Sequence, residues 1–320
     1  MKILLTSTSF QDTPGYHHEL LEKQGFDVDR LRGPVTEEVL LPIIGNYDAV
    51  ICGDDEYTEQ VLTRGKEGRL RYISKYGVGL DRIDLKAAQK LGLPVKNCPG
   101  VNQSSVSEHV LALLFTFEKN IHTQYQTVQQ GSWKRVTGNE LAGHTLGIVG
   151  LGAIGKELAK KALALGLNVI AFDIFKNEDF LSQYSDVVFT DDINNIYTQA
   201  DYISLHLPHT PQSEKMINRD VIFEKIKKQP VLVNTSRGML IDTDAVIEGL
   251  KEGKLRGYLA DVLAVEPVEK GEKLLGIDNV IITPHVGSRT YQSVVRQGTM
   301  AVENLIEMIN EESDKNSTAI

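Results

Sequence analysis

The sequence predicts an α/β protein with two parallel-sheet blocks. Three observations predict it. The first hundred residues alternate short apolar runs with helical patterns. A second alternating block begins near residue 145. The chain, at 320 residues, is also too long for one ordinary core. Strands that alternate with helices imply parallel sheets covered on both faces.

In the first block the strand candidates are residues 3–6, 28–31, 49–52, 72–74 and 95–97. Helical patterns lie between them at 16–24, 37–44 and 84–91. Gly25 and Gly92 follow two of these patterns, where a helix C-terminus takes a residue tolerant of positive φ. Ser105-Val106-Ser107-Glu108 then matches a capping box, in which serine and glutamate each satisfy a free backbone N–H. Residues 109–117 are apolar nearly all round, so the helix they form is expected to be buried. Residues 129–139 carry the sole tryptophan, Trp133, among polar residues and glycine, and read as a connection. The second block offers strands at 145–149, 169–172, 202–206, 231–234, 258–261 and 280–283, with one helix capped near Asp242-Thr243-Asp244. A final helix is expected over 291–310, with residues 311–318 as a polar, frayed end.

Hydrophobic residues make up 41% and charged residues 24%, a globular balance. The net charge of −9 argues against a nucleic-acid partner, and any anionic ligand must be held by local donors. Cys52 and Cys98 form no CxxC pattern and read as buried thiols in a reducing compartment. The apolar run at the N-terminus is too short for a signal peptide and reads as a strand. No stretch approaches the ~20 apolar residues of a membrane span. The expected location is the cytoplasm.

Gly150-Leu151-Gly152-Ala153-Ile154-Gly155 follows a strand, opens a helix, and is followed by a second strand ending at Asp173. In that context the motif is a dinucleotide fingerprint: Gly150 for the tight turn, Gly152 for close approach of a pyrophosphate, Gly155 for helix–strand contact. Free N–H groups at the helix start, with Ala153 and Ile154, would face the phosphates. Asp173 would accept hydrogen bonds from a ribose diol and repel a 2′-phosphate, which favours NAD. Lys176, close by in sequence, leaves NADP open.

Three later segments carry a cation, a carboxylate and an imidazole: Asn234-Thr235-Ser236-Arg237-Gly238, Asp261-Val262-Leu263-Ala264-Val265-Glu266-Pro267 and Thr283-Pro284-His285-Val286-Gly287. Beside a nicotinamide these are the parts needed to reduce a 2-keto acid. His285 is the candidate acid/base, since imidazole exchanges protons near neutral pH. Glu266 would hold the ring and stabilise imidazolium. Arg237 would grip a planar carboxylate with paired donors and polarise the keto group. The remaining histidines show no metal-ligand pattern, and no metal is expected.

Together these segments resemble the D-isomer-specific 2-hydroxyacid dehydrogenase family, which includes phosphoglycerate, glyoxylate/hydroxypyruvate, D-lactate, formate and phosphite dehydrogenases. The resemblance extends through Tyr76-Gly77-Val78-Gly79-Leu80-Asp81, Asn97-Cys98-Pro99-Gly100-Val101-Asn102, Gly131-Ser132-Trp133, Glu140-Leu141-Ala142-Gly143 and His206-Leu207-Pro208. It implies two Rossmann-like doubly wound domains, one flavodoxin-like and one NAD-binding, the second inserted in the first. Residues 101–286 would bind NAD; residues 1–100 and 287–320 would bind substrate. It implies backbone contacts to the substrate carboxylate from Val78 and Gly79. Cofactor contacts would come from His206, Leu207, Pro208, Thr235 and Gly287, and Asp261 would orient the nicotinamide carboxamide. It further implies a homodimer held around the long helix and Trp133, and a short phosphoglycerate-dehydrogenase-like form without a regulatory domain. Glu266 departs from the glutamine expected of formate dehydrogenase. Gly53-Asp54-Asp55-Glu56 stands where many members carry an arginine-serine pair, so three carboxylates are expected to disfavour a phosphorylated substrate, unless Lys75, Arg82, Lys96 or Arg289 lies nearby. Phosphoglycerate oxidation, phosphite oxidation and NAD(H) sensing by a corepressor-like binding protein stand as alternatives.

Overall fold

The computed structural model describes residues 1–318. The chain forms two compact units: Met1–Asn102 together with the chain from Arg289 onward, and Gln103–Ser288.

Unit 1 is built on five parallel strands: β1 Lys2–Leu5, β2 Asp27–Arg30, β3 Ala49–Cys52, β4 Tyr72–Lys75 and β5 Val95–Lys96. Their order is β2-β1-β3-β4-β5, the flavodoxin-like winding. Successive strand residues serve opposite faces. Leu4, Val50 and Cys52 join one core with Leu40, Val61 and Leu62. Ile3, Leu5, Ala49 and Ile51 join another with Phe10, Leu21, Val302 and Leu305. The helices are α1 Thr8–Asp12, α2 Tyr16–Lys23, α3 Glu37–Leu40, α4 Glu59–Glu67 and α5 Leu85–Lys90, with the last helix, Tyr291–Thr318. That helix runs through the segment expected to be frayed. Glu311 pairs with Lys96, and Glu312 accepts from the Tyr72 hydroxyl, so these two residues have partners on the unit's own surface.

Unit 2 carries seven parallel strands: β6 Thr145–Val149, β7 Asn168–Phe172, β8 Val187–Thr190, β9 Tyr202–Leu205, β10 Val231–Asn234, β11 Gly257–Ala260 and β12 Val280–Ile282. The order β12-β11-β10-β9-β6-β7-β8 reverses between β6 and β9, as in a Rossmann sheet. Its helices are α6 Gln103–Glu118, α7 Ile121–Gln129, α8 Ala153–Ala164, α9 Glu178–Gln183, α10 Asn194–Gln199 and α11 Thr243–Lys251. A single π-helical turn, Val221–Lys225, packs beneath α11. Asp242 caps α11 by accepting from the Asp244 and Ala245 amides, as expected.

One expectation needs correction. The helix expected to start at a capping box on Ser105 begins earlier, at Gln103. Ser105 sits inside its first turns and donates instead to the Gly287 carbonyl at 2.7 Å. Beyond Gln129 the segment through Trp133 to Asn139 has no regular structure, as the reading of a connection has it, and it is preceded by α7, an unanticipated helix with no buried residue. No helix among the described residues is long and apolar enough to cross a membrane.

Candidate active site

Parallel register aligns the strand ends of unit 2. Leu205 pairs with Val149 and with Asn234, and Ala260 pairs with Asn234 and with Ile282. The C-terminal ends of β6, β9, β10, β11 and β12 therefore lie in one row. The loops leaving them carry Gly150, His206, Arg237, Glu266 and His285 in spatial order. Ligands of open α/β sheets bind along this edge, beside the strand reversal.

At the β6–α8 turn, Gly150 has φ +102°, and a Cβ there would stand 2.5 Å from the His206 carbonyl oxygen. A Cβ at Gly155 would stand 2.1 Å from the Gly150 oxygen, so the helix can reach the strand only without a side chain. Gly152, the N-cap of α8, offers no side-chain cap, and nothing lies within 4 Å of its would-be Cβ. The first amides of α8, including Ala153 and Ile154, thus face open space, a cradle suited to a pyrophosphate. Asp173 accepts from the Leu151 amide at 2.7 Å and the Phe175 amide at 3.0 Å, which fixes its carboxylate beside the turn. A cavity of about 390 Å³ opens there, lined by Asp173, Ile174, Lys176, Phe189 and Asp191. Lys176 pairs with Glu178 at 2.9 Å, so two carboxylates of the cavity outweigh its one neutralised cation. That balance disfavours a 2′-phosphate.

His206 and Leu207 begin the loop after β9. Burial pushes the His206 imidazole down to about 4, so the ring is neutral. Its Nε2 meets the Ser204 hydroxyl at 2.8 Å, while Nδ1 is buried with no partner among the described residues, as is the Thr235 hydroxyl. Buried polar atoms need partners. These two fit a polar ligand held along the strand ends. Pro208 lies exposed on the same loop, its carbonyl accepting from the Ser213 hydroxyl.

Arg237 leaves β10 through a tight turn. Asn234 builds that turn by accepting from the Ser236 amide and donating to the Arg237 carbonyl at 2.9 Å. The guanidinium Nη1 donates to the Ser236 carbonyl at 2.7 Å. A Cβ at Gly238 would stand 2.0 Å from the Leu263 carbonyl carbon, so the Arg237 and Glu266 loops touch through backbone. Glu266 divides its carboxylate. One oxygen accepts from the Leu263 amide at 2.9 Å; the other meets His285 Nδ1 at 2.7 Å. His285 is about two-fifths exposed and sits at φ +52°, a backbone region that non-glycine residues rarely adopt.

Asp261 is buried, and both its oxygens are engaged. One accepts from Thr283 Oγ1 and the Val286 amide, the other from the Gly287 amide. Burial alone would raise its carboxyl, but hydrogen bonds from His109, Thr283 and these amides hold it below the usual range. The Asp261 carboxylate is thus committed to the turn that carries His285.

In unit 1, Val78 and Gly79 follow β4. The Gly77 carbonyl accepts from the Cys98 amide and the Val78 carbonyl from Asn97 Nδ2. The acidic run does not present three open carboxylates. Asp55 is fully buried and accepts from the Thr6 hydroxyl, the Val35 amide at 2.8 Å and the Gly53 amide at 3.0 Å. Asp54 pairs with the buried Lys75 at 2.8 Å, and Glu56 with Arg82 at 3.3 Å. Lys96 pairs with Glu307 and Glu311, and Arg289 with Asp12. Asp55 is thus taken up in the interior of unit 1, while Asp54 and Glu56 stay part-exposed, each beside a cation. Burial pushes the Asp55 carboxyl up, yet its removal takes the acceptor from the Thr6 hydroxyl and the Val35 amide and leaves the Gly53 amide only Thr6 Oγ1 at 3.3 Å. Asp55→Ala is expected to destabilise the fold by about 3 kcal/mol in urea unfolding. A loss below about 1 kcal/mol would contradict this bonding.

Among the described residues, no group of three His, Cys, Asp or Glu is placed to hold a metal.

Residues 111–287 match the family model for the D-isomer specific 2-hydroxyacid dehydrogenase NAD binding domain. The chain is 36% identical over 318 residues to the D-3-phosphoglycerate dehydrogenase of Methanocaldococcus jannaschii, covering 99% of this chain but only 59% of that protein's length. It is 37% identical over 275 residues to the hydroxypyruvate reductase of Thermotoga maritima, covering 84% of this chain and 87% of the other. The solved D-lactate dehydrogenase of Aquifex aeolicus, complexed with NAD and lactic acid, superposes with a TM-score of 0.83 at 28% identity, covering 98% of this chain and 96% of that one. With the Rossmann strand order and the glycine turn, these likenesses place the chain in the D-isomer specific 2-hydroxyacid dehydrogenase family, with its NAD-binding domain within unit 2.

Proposed function

We propose that the chain interconverts a D-2-hydroxy acid and its 2-keto acid with NAD. The observation that carries this reading is the His285–Glu266 contact, on the same strand edge as Arg237 and the glycine turn. An ionised carboxylate only accepts, so Glu266 fixes the proton on Nδ1 and leaves Nε2 for proton exchange. In reduction Nε2 donates its proton to the keto oxygen, and the imidazolium becomes neutral imidazole. In oxidation Nε2 takes the hydroxyl proton. A bound nicotinamide supplies or accepts the hydride at the 2-carbon. Arg237 binds the substrate carboxylate and draws charge from the keto group.

Residues 101–286 are assigned to NAD, held by the Gly150–Gly155 turn, Asp173, His206, Leu207, Pro208, Thr235 and Gly287. Residues 1–100 and 287–320 are assigned to substrate, through the Val78 and Gly79 amides. A homodimer is part of the proposal. Ile121, Tyr125, Val128 and Trp133 are exposed together, Trp133 by 81%, and such apolar exposure suits a second copy, giving the mass of two chains in sedimentation. Cys52 and Cys98 are buried free thiols, which suits the cytoplasm.

The test is NADH oxidation with pyruvate, glyoxylate, hydroxypyruvate, and branched and aromatic 2-keto acids, together with NAD reduction by 3-phosphoglycerate. Turnover with one or more is expected. NADH binding without turnover on any would assign the chain to NAD(H) sensing instead. Glu266→Gln is expected to move the pH–rate profile for reduction toward lower pH by about one unit, because an amide no longer favours the imidazolium. An unmoved profile removes Glu266 from its role.

A further inference from the structure

We infer that His109, on helix α6, is a positioning residue for the acid/base histidine. This rests on the role proposed above for His285. Three observations support it. First, His109 Nε2 lies 2.8 Å from Thr283 Oγ1 and 3.4 Å from Asp261 Oδ1. The Thr283 hydroxyl already gives its hydrogen to Asp261 Oδ1 at 2.5 Å, so it must accept from His109. His109 therefore carries its hydrogen on Nε2. The result is a directed chain, His109 to Thr283 to Asp261.

Second, the chain ends on the backbone of the catalytic turn. Asp261 accepts the Val286 amide at 2.9 Å and the Gly287 amide at 2.7 Å, and its own carbonyl accepts the His285 amide at 2.9 Å. Three consecutive amides, 285 to 287, thus converge on one residue whose side chain is oriented by Thr283 and His109. Third, His285 is held at φ +52°, a conformation that costs roughly 1 kcal/mol or more and persists only where surrounding bonds enforce it.

One helix turn before His109, Ser105 donates to the Gly287 carbonyl at 2.7 Å. Residues four apart share a helix face, so Ser105 and His109 clamp the two ends of the segment from 283 to 287. Space is tight as well: a Cβ at Gly287 would lie 2.9 Å from Asp261 Oδ2 and 3.5 Å from the His109 ring. His109 does not touch the reacting atoms in this scheme. It acts by fixing where His285 points, and a displacement of about 1 Å in a reacting group can cost roughly 100-fold in rate.

The experiment compares His109→Leu, His109→Gln and His285→Ala by steady-state kinetics, with NADH affinity from fluorescence titration. His109→Leu removes the donor and keeps an apolar filling. It is expected to lower kcat about tenfold, with NADH affinity changed less than about twofold. His109→Gln restores an N–H donor and is expected to recover at least about half of the wild-type kcat. A merely structural role would lower stability without this recovery. If His109→Leu does not fold, Thr283→Val breaks the same link and is expected to show the same loss in kcat. Folded variants with kcat within about twofold of wild type, or a glutamine no better than leucine, would overturn the inference. His285→Ala separates the two claims. If it retains turnover, the acid/base reading itself fails. If it is inactive while His109→Leu is normal, only the positioning role fails.

Discussion

His285→Ala is expected to bind NADH with affinity within about twofold of wild type and to lose turnover by roughly 1,000-fold. General acid catalysis by a positioned side chain is worth about 100- to 10,000-fold. His206 is the nearest alternative by strand order, but burial keeps it neutral at about 4, with one nitrogen bound to Ser204. The substitution leaves the rest of the site standing. The imidazole bonds Glu266 through Nδ1, while the turn is held by backbone bonds to Asp261. The glycine turn, Asp173 and Thr235 keep their geometry, so cofactor affinity persists while the proton has no donor. Turnover within about tenfold of wild type would remove His285 from the chemistry.

Arg237→Lys is expected to lower kcat/KM about 100-fold, through both a raised KM and a lowered kcat. The two cations differ in shape. The guanidinium gives Nη1 to the Ser236 carbonyl, and its donors lie in a fixed fork whose shape matches a carboxylate. An ammonium on a flexible stem cannot hold that anchor and make two parallel bonds to substrate. A hydrogen bond to a charged group is worth about 1.5–3 kcal/mol, and loss of one bond of the pair sets the size of the effect. The protein's net charge of −9 adds weight to the local cation, since the overall field repels an anionic substrate. A lysine variant within about threefold of wild type would show that charge alone suffices.

The site was legible in the sequence because its residues follow strand ends. A glycine turn, an arginine turn and a histidine turn each come directly after an apolar run, and parallel register converts that order into adjacency. What escaped was what depends on partners distant in the chain. Asp55 looks like a surface carboxylate, yet its acceptors' partners are Thr6 and Val35, brought to it by β1 and by the segment after β2. His109 reads as one more residue of a buried helix until Thr283 and Asp261 arrive beside it. Ser105 and Glu108 fit a capping pattern, but the tertiary acceptor at Gly287 drew the serine into the helix interior.

Among the elements, β8 was missed because it is an edge strand with Val188 61% exposed, which weakens its apolar signal. Helix α4 was missed because five of its nine residues are charged or amide-bearing and only Val61, Leu62 and Gly65 are buried. Both winding orders follow from strand–helix alternation only once the crossovers are seen. Alternation indicated parallel sheets, the resemblance implied flavodoxin-like and Rossmann windings, and the orders 2-1-3-4-5 and reversed Rossmann agree with them.

The central claim is stereospecific hydride and proton delivery to a 2-keto acid. Its most direct test is the product of wild-type protein supplied with NADH and each 2-keto acid of the panel, resolved on a chiral column. The prediction is a 2-hydroxy acid of the D configuration alone, formed in step with loss of NADH absorbance. An L or racemic product, or no product from any acid while NADH binds, would contradict it.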